Sequence, residues 1–166
     1  MHHRRVSDAG ILSEAESAFV RDARTAVLAT VSADGSPRLV PICFVLDRRL
    51  VYTPLDEKPK RVRDPHELER VRDIVRDPRV GLLIDRWSED WSRLGWLRLR
   101  GRAELIEPVA SGAAADEHSR AVIALRAKYP QYADHRLEAL PIIRIRVEGV
   151  RSWGDLSGGE TDQRSR

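Results

Sequence analysis

The sequence predicts a mainly β domain, six mostly antiparallel strands forming a small barrel with helices at its periphery. Three observations carry this reading. Two stretches, Gly95–Ile106 and residues 141–150, alternate apolar and polar side chains, the period of a half-buried strand. Between them and the N-terminus lie short apolar runs separated by turn residues, such as Asp34-Gly35-Ser36-Pro37. Helical patterns flank and separate these runs. With 166 residues and 42% apolar content, the chain is long enough for one sizeable core and too apolar for wholesale disorder.

Taken in order, residues 1–8 form a tail and the domain occupies 9–153. A helix over residues 13–24 follows from the capping-box spacing of Ser13 and Glu16 and from Ala15, Phe19 and Ala23 at helical intervals. Ala26–Val31 is a first strand. Residues 39–46, containing Val40, Ile42, Phe44 and Val45, are a second, and the Asp34-Gly35 turn makes the two a hairpin. Asp47-Arg48-Arg49 turns the chain into a third strand over 50–53. Asp64-Pro65-His66-Glu67 then places Asp at an N-cap, Pro at N1 and Glu at N3 of a helix whose stripe is Leu68, Val71, Ile74 and Val75. Asp77-Pro78 ends it. Residues 80–85 are a fourth strand, Gly95–Ile106 a fifth, Ala113–Lys128 a helix and 141–150 a sixth strand. Residues 154–166, rich in Gly, Ser and charge, form a second tail.

Several function classes are excluded by what the residues offer. No run approaches the roughly 18 apolar residues of a membrane span, and Met1 to Gly10 lacks the apolar segment of a signal peptide, so a cytoplasmic protein is expected. The net charge of +3 is too small to imply a nucleic-acid partner. One cysteine, Cys43, rules out an internal disulfide, and the five scattered histidines show no metal-binding spacing. No nucleophile elbow or phosphate-binding glycine loop is present, so no catalytic residue and no metal site is expected.

Two basic features remain. Lys58, Lys60, Arg61 and Arg63 fill four of six consecutive positions before a helix start, where backbone N–H groups also favour anions. They read either as a solvated loop or as a phosphate grip. Arg98, Arg100 and Arg102 form a row on one side of the fifth strand, opposite Leu97 and Leu99. They read as a solvent-facing side, a subunit interface or an anion site. Trp96 precedes the row and is either core packing or a cover for a flat ring.

The order of motifs resembles a known family. Asp34-Gly35-Ser36-Pro37-Arg38-Leu39-Val40-Pro41 is followed by Leu50-Val51-Tyr52-Thr53, the Lys58/Lys60 loop, Arg76-Asp77-Pro78-Arg79-Val80-Gly81-Leu82-Leu83, and Leu97-Arg98-Leu99-Arg100-Gly101-Arg102-Ala103-Glu104. Over about residues 10–153 this resembles the pyridoxamine 5′-phosphate oxidase-like split β-barrel superfamily. Within it, the chain looks most like the coenzyme F420-dependent oxidoreductases of actinobacteria. The resemblance implies a homodimer with the cofactor in a groove between subunits. It places Arg38, Thr53, Lys58, Lys60 and Arg61 at the cofactor's anionic groups, Val40, Pro41 and Ile42 under the ring, and Trp96 and Arg98 beside it.

Departures from the flavin oxidases narrow the expected activity. Cys43 stands where they carry a lysine, Trp96 where they carry a glutamine, and their pyridoxal phosphate-binding C-terminal segment is missing. The resemblance therefore implies hydride transfer between F420 and a small organic substrate. Its alternatives are an FMN flavoprotein of the same fold and a non-catalytic binder of a cofactor or tetrapyrrole.

Overall fold

The computed structural model describes residues 11–55 and 64–157. Helix α1 spans Glu14–Asp22. Its capping box is complete, since the Ser13 hydroxyl accepts from Glu16 N and the Glu16 carboxylate accepts from Ser13 N. Strands β1 (Ala26–Val31) and β2 (Pro37–Ile42) form the expected hairpin. In its turn Asp34 Oδ1 accepts from Ser36 N at 3.0 Å and from the Ser32 hydroxyl, and Gly35 supplies the positive φ of 84°. These hydrogen bonds, the Ser32 hydroxyl first, hold the Asp34 carboxyl down at about 2.

Strands β3 (Val45–Asp47) and β4 (Leu50–Pro54) follow, then helix α2 (Glu69–Arg76), strands β5 (Arg79–Arg86) and β6 (Gly95–Ile106), helix α3 (Ala113–Lys128) and strand β7 (Ile142–Gly154). All pair antiparallel in one seven-stranded sheet of order β2-β1-β5-β6-β7-β4-β3. The edges of that sheet are β2 and β3, which are neighbours in sequence. Only Cys43 and Phe44 separate them, so Ile42 and Val45 lie at most about 11 Å apart. The sheet must therefore curl until its edges nearly meet, a barrel whose seam carries no strand pairing among the described residues.

Seven strands thus replace the six expected. The apolar run 39–46 is not one strand, because Tyr129 intervenes at its middle. The Tyr129 hydroxyl accepts from Phe44 N at 2.9 Å and lies 2.8 Å from Phe44 O and 2.9 Å from Arg24 O. One phenol takes the place of a ladder at the break. Beside it the Lys128 ammonium is buried without a hydrogen-bond partner among the described residues, 4.3 Å from the centre of the Phe44 ring. Burial, then the neighbouring Arg24, pushes Lys128 down to about 8.

Other boundaries shift for local reasons. Asp64 does cap, accepting from His66 N, but the turn it starts is a 3-10 turn over Pro65–Glu67, and α2 proper begins at Glu69. Val71 and Ile74 are buried as expected, whereas Val75 is exposed. Cys43 is half-buried. The last strand continues to Gly154, and Asp155 beyond it is held by Arg86 at 2.9 Å, so residues 151–157 belong to the folded unit.

Alternation gives the curled sheet two sides. The inner side carries Leu28, Leu82, Leu99, Val147 and Ile145, closed by Phe19 and Val20 of α1 and Val71 and Ile74 of α2. On the outer side, α3 packs Ala121, Val122 and Leu125 over Tyr52, Ile106 and Ile142. It covers only one end of that side. None of the described helices is long and apolar enough to cross a membrane.

Candidate cofactor and anion-binding face

Strand β6 projects Trp96, Arg98, Arg100, Arg102, Glu104 and Ile106 to the outer side, while Leu97, Leu99, Gly101 and Ala103 face the core. Register with β7 sets Trp96 opposite Trp153, Arg98 opposite Arg151 and Arg102 opposite Arg146. A bulge between Arg100 and Gly101 leaves Glu148 unpaired and keeps these residues on one side. Gly149 faces Arg100. A Cβ there would meet the Arg100 Nε at 2.6 Å, so the missing side chain is the space the guanidinium occupies.

The covered and uncovered ends of this surface differ in charge. At the α3 end Arg144 donates to both oxygens of Glu117, at 2.9 and 2.7 Å, and to Glu104 Oε1 at 2.5 Å. Tyr52 donates to the same Glu117 at 2.7 Å. Burial opposes ionisation of Glu117, yet the bonds from Arg144 and Tyr52 win and hold its carboxyl below the usual range. At the uncovered end Arg98, Arg100 and Arg151 are exposed, and none makes an ion pair or side-chain hydrogen bond among the described residues. Like charges directly opposite each other on paired strands repel. Trp153 beside them is 56% exposed, Trp96 is half-buried, and Asp85 opposite Trp96 is the acid next to them on β5.

On the other side of β5 the uncovered surface turns apolar. Leu83 faces Arg98 from β5, Val27 and Ala29 follow on β1, and Pro37, Leu39 and Pro41 end the row on β2. Leu39 is 66% exposed. A flat apolar area beside a tryptophan-flanked group of arginines can seat a planar ring and neutralise an anion.

The residue patterns and the fold find their counterparts among known proteins. The family model described as pyridoxamine 5′-phosphate oxidase matches residues 12–154. The chain belongs to the pyridoxamine 5′-phosphate oxidase family. Solved structures agree in fold. A conserved hypothetical protein of Mycobacterium tuberculosis is 22% identical with a TM-score of 0.66, the match covering 95% of this chain and 99% of that one. A candidate pyridoxamine 5′-phosphate oxidase of Listeria innocua is 20% identical with a TM-score of 0.57, covering 83% and 94%. The haem storage protein HutZ of Vibrio cholerae is 18% identical with a TM-score of 0.61, covering 80% and 88%. At these identities the likeness establishes the split-barrel fold. No curated protein matches the sequence.

The oxidase-family motif residues fall on both sides of the sheet. Arg38, Val40 and Ile42 of β2 register with Thr30, Leu28 and Ala26 on the inner side, whereas Pro41 points outward with Val27. Thr53 is buried on the inner side, paired with Ile143. Arg38 is already engaged. Its Nε donates to Asp73 at 2.8 Å and its Nη1 to Glu69 at 2.8 Å. Asp73 is buried and also accepts from Thr30 and Arg76. Burial raises the Asp73 carboxyl, and the bonds from Arg38, Arg76 and Thr30 more than reverse this, holding it below the usual range. Arg38 therefore spends two of its five N–H donors within the protein and offers a ligand the other three, with little net charge. Trp96 and Arg98 stand together on the outer side with Pro41. Lys58, Lys60 and Arg61 lie outside the described residues.

Sequence reasoning missed Arg151 and Trp153. Arg144 and Arg146 point outward on even numbers, and after the bulge Gly149, Arg151 and Trp153 do so on odd numbers. The Glu148-Gly149 pair was the available signal, since a glycine inside an alternating strand marks a bulge. His66 bridges Asp64 and Glu107, each at 2.8 Å, and these two carboxylates raise its affinity for a proton, Glu107 first.

Proposed function

We propose that the protein is a cytoplasmic, F420-dependent oxidoreductase that moves a hydride between the deazaflavin and a small organic substrate. The observation that carries this reading is the uncovered outer face. It sets a flat indole pair, Trp96 and Trp153, beside unpaired Arg98 and Arg151, and these beside apolar Leu83 and Leu39. A second copy of the chain covers the apolar part, giving a homodimer with the cofactor at its edge. A planar cofactor with an acidic tail fits that combination better than a neutral one, because Arg98 and Arg151 make no ion pair among the described residues.

When bound, the deazaflavin carries the hydride, and the chain supplies position and shielding. Trp96 would lie against the ring, and Arg98 would hold the anionic end, with Lys58, Lys60 and Arg61 adding charge from the stretch of sequence between β4 and α2. Pro41 would shape the wall on the outer face, Val40, Ile42 and Thr53 face the inner side and would act only through the strands that carry them, and Arg38 would offer the N–H donors that Asp73 and Glu69 leave free.

The test is equilibrium titration of the purified protein with F420 and with FMN in parallel, together with sedimentation. The expected result is a dimer that binds F420 at least about tenfold more tightly than FMN, a difference of roughly 1.4 kcal/mol. Preference for FMN would make it a flavoprotein of the same fold. A monomer at micromolar concentration would remove the intersubunit groove. Haem, held by the Vibrio relative, is a weaker match because no histidine stands on the uncovered face among the described residues.

A further inference from the structure

We infer that Lys128 is a proton-operated stopper in the seam of the barrel, seated against Phe44 while its amine is neutral and swung out to water when the amine is charged. Lys128 is the last residue of α3, and its Nζ is the one buried side-chain polar atom without a hydrogen bond among the described residues. Nζ lies 4.3 Å from the centre of the Phe44 ring and 5.5 Å from that of Tyr129. Phe44 is fully buried and is half of the two-residue link that fastens β2 to β3. The orphaned amine thus sits at the single fastening of the seam.

The surrounding groups decide how this place treats a proton. Arg24, just after α1, stands 4.7 Å over the same Tyr129 ring and donates to the Lys128 carbonyl at 2.7 Å, so two cations meet at one phenol. Asp22 at the end of α1 and Cys43 in the link pull the other way, but neither hydrogen-bonds the amine. Tyr129 stays protonated here, since burial raises its phenol. The ring faces attract an ammonium, yet they replace none of the hydrogen bonds it makes in water. Burial first and Arg24 second therefore prevail, and the seated amine loses its proton at about 8. A lysine in water keeps its proton up to about 10.4. Seating is accordingly opposed below about pH 8 and gains as pH rises from there toward about 10. Lys128 is only half-buried and its stem is long and flexible, so rotation of the side chain alone brings the amine to water. It leaves behind an uncovered Phe44 ring, and the seam loosens toward neutrality and tightens in alkali.

This device goes beyond the proposed function and does not rest on it. Its test reads the amine and the seam separately on the full chain. Lys58, Lys60 and Lys128 are the only lysines, so labelling at the ε-carbon gives three NMR signals, assigned with K58R and K60R. The Lys128 signal is expected to titrate near 8. The seam is read by hydrogen exchange at the Phe44 amide, whose N–H is given to the Tyr129 hydroxyl, after correction for the intrinsic effect of pH. Its protection is expected to rise about tenfold from pH 7 to pH 9 in the parent, the rise setting in where the Lys128 signal moves. In Lys128→Met, which keeps an unbranched stem without the charge, protection should stay level across that range. A Lys128 signal that titrates above about 10, as for a lysine in water, would overturn the inference and leave a permanently charged side chain held by the rings. So would Phe44 protection that ignores the Lys128 titration, or that rises equally in K128M. If K128M does not fold, the two curves of the parent decide alone: coincidence supports the stopper and divergence removes it.

Discussion

The same two strands, β6 and β7, build two arginine environments that differ in what covers them. Under α3, Arg144 is 22% exposed and shared between Glu104 and the 17%-exposed Glu117. A few residues along, Arg98 and Arg151 face each other in solvent with no ion pair among the described residues. Burial explains the difference. A charge covered by a helix must be paired or it destabilises the fold, whereas an exposed charge is tolerated at small cost. The covered end is thus committed to stability, and the uncovered end keeps its charge available.

The comparison predicts an ordered set of effects. Tyr129→Phe should be the most damaging, because it strips the buried Phe44 N–H of its acceptor at the seam beside α3. A loss of about 2–3 kcal/mol is expected in urea denaturation. A loss below about 1 kcal/mol would mean the strand break is held by something else. Arg144→Met should cost about 2 kcal/mol by leaving Glu117 half-covered with only the weaker attraction of Arg120, which places it between exposed and fully buried pairs. Thermal melts matching the parent would erase the contrast between the two ends.

Arg38 with Asp73 offers a third environment, on the inner side. Because the folded carboxyl is lowered, its contribution is present above the unfolded value of about 4 and is lost as pH falls through the folded value. Asp73→Asn should therefore cost about 1–2 kcal/mol at pH 7, with the gap from the parent narrowing below about pH 4. A gap that stays constant from pH 7 to pH 2 would contradict the ion pair. The smallest effect belongs to the uncovered end. Arg98→Gln with Arg151→Gln should stabilise by about 0.5 kcal/mol through relief of repulsion, and the gain should shrink in high salt. Destabilisation of that double variant would show that the pair does structural work.

Legibility followed the reach of the interactions. Strand β6 and helix α3 fall where alternation and periodicity place them, because their signals are local. The outward direction of Trp96 and Arg98 follows from the same alternation. The break at Cys43-Phe44 was not readable, since its cause is Tyr129, 85 positions away. Arg38 carries the family's motif, but Asp73, its partner 35 positions on, decides how much of its charge a ligand meets. The pairing of Arg98 with Arg151 depends on a bulge that shifts the phase of β7, and a phase shift hides outward residues from any rule based on a constant period.

The seam between β2 and β3 has a mechanical consequence. An ordinary closed barrel holds its circumference by hydrogen bonds at every strand, so widening it means breaking a ladder. Here the circumference is held at one point by peptide bonds through Cys43 and Phe44, which do not yield, while the rest of the seam has no ladder to break among the described residues. The barrel behaves like a cuff fastened by one button, with a fixed girth at the button and a gap that can widen away from it. Strand β2 borders that gap and carries Leu39 and Pro41 on its outer side, so any widening is delivered to the apolar half of the uncovered face.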